Sequence, residues 1–499
     1  MKREPDCSPF LTYIEQCSEE QSALLTAFFT EFDAHCLLPR REKQRMREDF
    51  EAAILQYSRV GVPLDESLRR LSADRLGSFY AHPPILWFPL DSAAKIYPIS
   101  MEHGRMTLFR ISVHLKSEVV PELLQMALTF TIKRFPSFAT TLKKGFFWHY
   151  LDTAKRRFCI EPERHIPCQA LRVSRSGSQS FRVLYYQNRI SVEFFHVLTD
   201  GTGGMAFLKA LTSEYLRLTG VDDTPDDPSW DVQAIPHGEE FVNEFPRCAP
   251  RKTASGFMGK PAVQMSGRLS RQKPCRVLHF KMDAAGLKTA AKQYSTTVTA
   301  YLLAQMFRAA WAATAERKGD LSIQLPVNMR QFYPSRTVRN FSMYCGIRMP
   351  LDGTFEIPEL IPAICTQMQE KACKESMDEM LTATVRLVET LKYIPLILKQ
   401  PAAKLVYGFL GDNIFTTTLS NLGVVTMPDT WANRIESMDF VLGTAITNRA
   451  SCALVTFGDT ATLSITKMTA DPTFEEHLYR LLTADGTTVR VEGSELYED

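Results

Sequence analysis

The residues best suited to chemistry are His196, Asp200 and Gly201, which stand in the pattern H-x-x-x-D-G. A histidine at the end of a strand can hold its imidazole in a cleft and act as a general base. The aspartate four positions later can turn away and fix the loop, while the adjacent glycine permits unusual backbone angles and leaves room for a substrate. The pattern therefore predicts proton transfer at His196, with Asp200 and Gly201 shaping the loop.

Two alternatives stand beside this interpretation. A histidine directly after Phe194 and Phe195 can equally be a buried side chain whose hydrogen bonds are satisfied within the core. Among the ten histidines of the chain, His149 is a second candidate base, in the aromatic stretch 146–150. No Asp-Gly pair follows His149, so we assign it a structural role, and we expect the aromatic stretch to be a strand with its rings in the core.

The elements on either side of the motif are readable from the sequence. Residues 181–186 and 190–195 alternate and cluster as two strands, and residues 187–189 between them form a hairpin turn. A helix follows the motif, with an apolar stripe made of Leu208, Leu211, Tyr215 and Leu218. The second strand thus delivers His196, and the helix anchors the loop from behind.

The motif, set between a hydrophobic strand and a helix, resembles the signature of the CoA-dependent acyltransferase superfamily. That group includes chloramphenicol acetyltransferase, the BAHD acyltransferases and the condensation domains, and this chain is most similar to bacterial alcohol acetyltransferase-like proteins. The resemblance extends over roughly residues 85 to 490 and includes LDSAAKIYP (90–98), LPVNMRQFYPS (325–335) and TTTLSNLG (416–423). Condensation domains usually carry a second histidine where this chain has Phe195, which favours CoA-thioester chemistry.

The resemblance implies a fold and a set of roles. We expect an α/β protein with two chloramphenicol-acetyltransferase-like layered halves, an active-site tunnel between them and a helical N-terminal extension. His196 would be the general base, acyl-CoA the co-substrate, and an alcohol or amine the acceptor, with no permanently bound cofactor. Ser420 and Asn421 would support the oxyanion, although an ordinary turn is the alternative interpretation of Ser-Asn-Leu-Gly.

Asp200 raises the question of a partner, because a poorly solvated carboxylate must be paired or neutralised. The family places an arginine at the end of a central strand in the other half, and Arg330 ends LPVNMR. Its planar guanidinium suits a bidentate carboxylate contact. Arg336 and Arg339 are nearby competitors. A simple cap of the following helix is the alternative role for Asp200.

The chain divides into four predicted segments. Residues 1–82 are predicted to form a helical extension with a packing, lid or partner role. Residues 83–222 are predicted to form the first acyltransferase half, and residues 275–499 the second. Residues 223–274, between the halves, are predicted to be a crossover that is largely loop. The apolar run YIPLILKQP in the second half is too short to span a membrane; core packing is the expected use, and contact with a lipid surface or lining of an apolar pocket are alternatives.

Bulk composition narrows the function classes. The 499 residues carry 58 basic and 56 acidic side chains without a basic block, so a nucleic-acid role lacks electrostatic support. The eleven cysteines are scattered without a CxxC pair, so we expect neither a zinc site nor a disulfide framework. No transmembrane run or signal-peptide pattern is found, and we expect a cytoplasmic monomer.

We therefore predict an acyl-CoA-dependent O-acyltransferase in which His196 takes the proton of the acceptor hydroxyl. One alternative is a condensation or transfer enzyme whose acyl donor hangs on a carrier protein. The other is a non-catalytic scaffold that keeps the fold and presents the N-terminal helices to a partner.

Overall fold

The computed structural model describes residues 9–82, 87–98, 106–153, 156–171, 178–249, 259–399 and 412–497. The helices are α1 (Pro9–Glu15), α2 (Glu19–His35), α3 (Arg40–Arg59), α4 (Leu64–Leu71), α5 (Pro121–Thr131), α6 (Gly201–Leu218), α7 (Phe245–Cys248), α8 (Ala284–Gln293), α9 (Val298–Ala312), α10 (Ile357–Lys371), α11 (Lys374–Thr390), α12 (Asp429–Ala432) and α13 (Thr473–Ala484). None of these helices is long and apolar enough to span a membrane within the described ranges.

The strands belong to three sheets. They are β1 (Trp87–Pro89), β2 (Leu108–Leu115), β3 (Thr140–Lys144), β4 (His149–Thr153), β5 (Ile160–Pro162), β6 (Ser178–Gln179), β7 (Phe181–Tyr186), β8 (Arg189–Phe195), β9 (Arg276–Asp283), β10 (Asp320–Asn328), β11 (Ser342–Pro350), β12 (Thr417–Val425), β13 (Ile435–Leu442), β14 (Ala450–Phe457), β15 (Thr460–Lys467) and β16 (Val489–Gly493). The predicted α/β class, the two sheet-containing halves and the helical N-terminus are confirmed.

The N-terminal helices pack against the first half and share its core. Ser18 caps α2 through a reciprocal capping box with Gln21, which fixes where that helix begins. The ring of Phe50 in α3 packs 6.0 Å from that of Phe130 in α5. The hydroxyl of Tyr57 donates to the carbonyl of Leu218, the last residue of α6, at 2.6 Å. Residues 9–82 therefore pack against the first half, and a lid or partner role for the extension stays a prediction.

The sheet of the first half has the order β13-β2-β8-β7-β5. The hairpin β7–β8 forms as predicted, and its turn includes Gln187 at a positive φ of 50°. Strand β8 lies between β2 and β7, so both of its edges are hydrogen-bonded, and its side chains are almost all buried. This central position makes the end of β8 a rigid support for His196.

The second half is built on a seven-stranded sheet with the order β11-β10-β12-β14-β15-β9-β16. Helix α9 is buried along most of its length and contributes to a second core together with β10 and β15. After β10 the chain makes a short 3-10 turn, Met329–Gln331, and returns as β11. The residues between these strands face the motif loop of the first half.

Strand β13 crosses between the halves. It follows β12 in the chain, yet it pairs antiparallel with β2 in the sheet of the first half, with Phe440 opposite Ile111. His114 of β2 and Asp439 of β13 add a side-chain contact of 2.7 Å between imidazole and carboxylate. The segment 275–499, predicted as one half, thus supplies an edge strand to the other half.

The aromatic stretch 146–150 differs from the expectation. Only His149 and Tyr150 lie in a strand, and the preceding residues form the turn of the β3–β4 hairpin, closed by a hydrogen bond from the Gly145 N–H to the Trp148 carbonyl. Phe146 is 72% exposed at this turn. The prediction of a strand with buried rings was wrong here because the chain has to reverse direction between β3 and β4.

Candidate active site

His196 follows the last residue of β8, and its imidazole lies between two aromatic rings. Its backbone N–H donates to the carbonyl of Thr107 at 2.9 Å, which holds the strand end in place. The ring centroid of Phe109 lies 4.9 Å away and that of Tyr97 lies 5.3 Å away. The side chain remains partly exposed at this position. The imidazole is therefore packed against two aromatic rings.

The tautomer of His196 is set by Asn340, which comes from the second half. The Asn340 amide nitrogen donates to the His196 carbonyl at 2.6 Å and to the Asp91 carboxylate at 3.1 Å. Both partners are acceptors, so the amide orientation is fixed, and its oxygen must face His196 Nδ1 at 2.8 Å. Nδ1 therefore carries the proton of the neutral ring, and the free lone pair lies on Nε2.

The surroundings of His196 lower its pKa below the usual 6.5, chiefly because burial disfavours the charged imidazolium. The hydrogen bond to Asn340 and the charges of Asp200 and Asp91 act in the opposite direction. The imidazole is thus neutral at pH 7. The charges of the same two carboxylates favour the protonated form of the ring.

Asp200 has both of the roles that the sequence left open. One carboxylate oxygen accepts from the backbone N–H of Gly203 at 3.1 Å and so caps α6. The other accepts from Arg330 Nη1 at 2.7 Å and from the Phe341 N–H at 2.8 Å. The ion pair predicted with Arg330 is present, and it joins the motif loop to the second half. Both oxygens of the Asp200 carboxylate are thus engaged by α6 and by the second half.

The three arginines of this segment have separate partners. Arg330 also donates to the carbonyls of Thr337 and Arg339, each at 2.8 Å, so its guanidinium is held on several sides. Arg339 lies 3.8 Å from Asp91 and donates to the Pro89 carbonyl. Arg336 is exposed. The competition for Asp200 is therefore resolved in favour of Arg330.

The glycines of the motif allow close approach. A Cβ atom on Gly201 would lie 2.5 Å from a methyl group of Leu422, and one on Gly203 would lie 2.1 Å from the Val338 carbonyl oxygen. Neither glycine has a positive φ among the described residues. Gly201 thus lies against the flexible end of Leu422 in β12, whereas a Cβ on Gly203 would meet backbone, and the unusual backbone angle expected for Gly201 is not observed.

Ser420 and Asn421 lie in β12, the strand that Leu422 brings against the motif. The amide nitrogen of Asn421 donates to Thr299 at 3.0 Å, and its oxygen accepts from the Gly423 N–H at 2.8 Å. Asn421 therefore ties β12 to α9 and shapes the strand locally. Ser420 is partly buried. The oxyanion role of these two residues stays a prediction.

Sequence reasoning missed Asn340 and Asp91. Asp91 lies within LDSAAKIYP, a segment that the resemblance identified but to which no role was given. It is fully buried, and its pKa is raised by burial. Asn340 has no local signal, since it meets His196 from 144 positions further along the chain.

A groove on the N-terminal helices lies apart from these residues. It has a volume of about 650 Å³ and is bordered by α2, α4 and the segment that follows α4. At its edge, three side-chain atoms of the kind that can bind a metal ion lie within 4.8 Å of one another. They belong to Glu31, His35 and Asp74. Neither the groove nor this surface cluster includes a residue of the H-x-x-x-D-G motif.

The fold matches those of solved acetyltransferases and condensation domains. The trichothecene 15-O-acetyltransferase TRI3 from Fusarium sporotrichioides aligns with a TM-score of 0.53 and 13% identity, over 80% of this chain and 94% of that one. TRI101 from Fusarium sporotrichioides, solved with coenzyme A and T-2, aligns with a TM-score of 0.55 and 9% identity, over 81% and 99%. The condensation domain of the monacolin K polyketide synthase MokA aligns with a TM-score of 0.51 and 11% identity, over 81% of this chain and 98% of that one.

Comparison of sequences finds fewer similar proteins than comparison of structures. No protein-family profile matches this chain. No curated protein matches it either. At the identities given, the structural likeness establishes the architecture. The chain has the two-lobed fold shared by the CoA-dependent acyltransferases and the condensation domains.

Proposed function

We propose that this protein is an acyl-CoA-dependent acyltransferase that transfers an acyl group to a hydroxyl acceptor, with His196 as general base. The observation that carries the proposal is the hydrogen bond between His196 Nδ1 and Asn340 Oδ1, 2.8 Å long. It leaves Nε2 unprotonated on a neutral imidazole, which is the state that a general base requires. The fold of two CoA-bound acetyltransferase structures from Fusarium supports acyl-CoA as the donor.

The reaction needs only this base and two correctly placed substrates. Nε2 removes the proton of the acceptor hydroxyl as its oxygen attacks the thioester carbonyl. The tetrahedral intermediate then collapses, the carbon–sulfur bond breaks, and the imidazolium returns the proton to the departing CoA thiolate. Asp200 and Asp91 favour the imidazolium electrostatically during this interval. An amine acceptor would follow the same sequence of steps.

Support for the developing oxyanion is assigned to the region of Ser420 and Asn421. Strand β12 carries both residues and lies against Gly201 through Leu422, so this strand borders the motif. Since the Asn421 amide already donates to Thr299, the Ser420 hydroxyl is the more available donor of the two. A preorganised donor of this kind typically contributes about 10²- to 10³-fold in turnover.

The free cysteines bear on the cellular compartment of the proposed enzyme. The ten cysteines of the described ranges are all free. A chain with this many free thiols suits a reducing compartment, so we propose a cytoplasmic enzyme. The monomeric state stays a prediction.

The test is a thiol-release assay over a matrix of acyl-CoAs with alcohols and amines. His196→Ala should fold normally and lose about 10²- to 10⁴-fold in turnover. His149→Ala is the matched control, because this histidine lies in another sheet, and it should retain activity. Wild-type turnover in His196→Ala would refute the mechanism.

Two further measurements distinguish the proposed enzyme from a carrier-dependent enzyme and from a non-catalytic scaffold. Replacing acyl-CoA with an acyl-carrier protein tests for a carrier-dependent enzyme, in which only the tethered donor would react. A thermal-shift series with CoA tests for a scaffold, since a protein that does not bind CoA shows no ligand-dependent stabilisation.

A further inference from the structure

The turn of the β3–β4 hairpin and a second turn, residues 391–398, which enters a helix at Leu396, carry an exposed apolar surface. We define this apolar surface by six side chains: Phe146, Phe147, Tyr393, Ile394, Ile397 and Leu398. Tyr393 is 78% exposed, and Phe146 and Ile397 are each 72% exposed. Single exposed apolar side chains are common on proteins, but a cluster of aromatic and branched aliphatic side chains marks a binding surface.

The two turns are joined by specific contacts. The Leu396 N–H donates to the Phe146 carbonyl at 2.9 Å. The Lys399 ammonium donates to the Phe147 carbonyl at 2.8 Å and lies 3.3 Å from the centre of the Trp148 ring. Lys399 is itself buried. These contacts hold the second turn against the first and so bring the six side chains to the same region of the surface.

Lysines outnumber acidic side chains around the apolar surface. The stretches 141–152 (TLKKGFFWHYLD) and 389–399 (ETLKYIPLILK) contain four lysines, one aspartate and one glutamate. Lys143 pairs with Asp152, and Lys392 lies 3.6 Å from Glu389. Lys144, which is exposed, flanks the apolar side chains directly. Protein–protein interfaces are depleted in lysine, whereas lysines beside tyrosine, phenylalanine and aliphatic side chains are typical of surfaces that enter a lipid headgroup region.

We propose that the apolar surface docks onto an anionic lipid membrane. The six side chains would enter the boundary between headgroups and acyl chains, and the exposed Lys144 would face the anionic headgroups. No spanning helix is needed for this mode of binding. The proposal does not depend on catalysis, since the lipid contact involves no residue of the H-x-x-x-D-G motif.

The apolar surface has a structural connection to His196. The Lys95 ammonium lies 5.6 Å from the centre of the Trp148 ring, at the base of the first turn. Tyr97, two residues further along, packs its ring 5.3 Å from that of His196. If the proposed function holds, docking brings the membrane to the side of the molecule where residues 95–97 lead to the His196 imidazole. Membrane-dissolved, long-chain alcohols are then the acceptor class to include first.

The test is vesicle co-sedimentation with the full chain. Vesicles of phosphatidylcholine alone are compared with vesicles that also contain phosphatidylserine, at low and high salt. The disrupting variant is Phe146→Ser/Ile397→Ser, which removes one apolar side chain from each turn. The matched control is Val60→Ser/Ile235→Ser, which removes two side chains that are 62% and 90% exposed outside the apolar surface.

Wild-type protein should bind the phosphatidylserine vesicles more tightly than the neutral ones, and salt should weaken the binding. The disrupting variant should bind at least about tenfold more weakly, while the control and His196→Ala should bind like wild type. Absence of wild-type binding, or equal binding by the disrupting variant, would overturn the proposal. So would a wild-type dimer in light scattering that this variant converts to monomer, because the surface would then join two copies of the chain. Loss of turnover with retained binding would instead concern only the proposed function.

Discussion

The ion pair between Asp200 and Arg330 allows a quantitative test of how the motif loop is held. The carboxylate side chain is 4% exposed and the guanidinium is 11% exposed, with a contact of 2.7 Å. Removing one member of a buried pair costs about 3–5 kcal/mol, because the other charge is left without compensation. We consider the substitutions Asp200→Asn and Arg330→Ala, separately and together.

The two single variants should not be equal. Asp200→Asn leaves Arg330 with the carbonyls of Thr337 and Arg339 as acceptors, so the loss should lie near about 3 kcal/mol. Arg330→Ala leaves the carboxylate with only the N–H groups of Gly203 and Phe341, and it also removes the donors of two carbonyls. This loss should lie near about 5 kcal/mol.

The double variant should be less destabilised than the sum of the single variants by about 1.5–3 kcal/mol, since the second substitution removes a charge that is already unpaired. The measurement is urea denaturation of all four proteins, with the free energy of unfolding compared at equal m-values. Arg336→Ala, an exposed arginine in the same segment, is the control and should change the free energy by less than about 0.5 kcal/mol. Additivity of the two substitutions within about 0.5 kcal/mol would refute the coupling.

Further predictions concern the base, the loop and the N-terminal helices. Wild-type turnover should hold as the pH falls to 6.5 and decline only below it, because burial lowers the pKa of His196 and keeps the base neutral; a pH–rate profile with its acid limb above 6.5 contradicts this. Asn340→Ala should move that acid limb further down in pH, because the lost hydrogen bond favours the protonated ring, and should reduce kcat about 10-fold or more; an unchanged limb assigns Asn340 a purely structural role. Gly203→Ala should lower the free energy of unfolding by about 1–3 kcal/mol in urea denaturation, because its Cβ would collide with a backbone carbonyl, and a stability equal to wild type rules out that collision. A chain beginning at residue 83 should melt at a lower temperature or fail to stay soluble, because the core around Phe130 is uncovered; calorimetry showing the full-length melting temperature would mean that the N-terminal helices add no stability.

The sequence predicts what depends on neighbouring residues. The apolar residues of the hairpin before His196, and of the helix after it, recur at the spacing of a strand or a helix. The turn between β7 and β8 lies where this apolar pattern is interrupted. The cap on α6 is equally local, since Asp200 and Gly203 are three residues apart. These features were predictable because each one is decided within a single element.

Contacts between distant segments were predictable only through the resemblance, or not at all. Arg330 was named because related proteins place an arginine there, and the structure shows the pair. Asn340 was missed because an amide has no periodicity or charge that marks it, and its role arises only when the second half meets the first. The exposed ring of Phe146 was misassigned because an apolar run has the same composition in a strand and in a turn.

The crossing of β13 has a consequence for the way the protein is made. When β2 leaves the ribosome, its partner on one edge, residues 435–442, has not yet been translated. At about 5–20 residues per second, that edge waits on the order of 15 to 65 s for its neighbour. An unpaired strand edge is a template for pairing with other chains, so the nascent protein has its greatest tendency to aggregate during this interval. The first half therefore cannot complete its sheet until residue 442 of the second half has been translated.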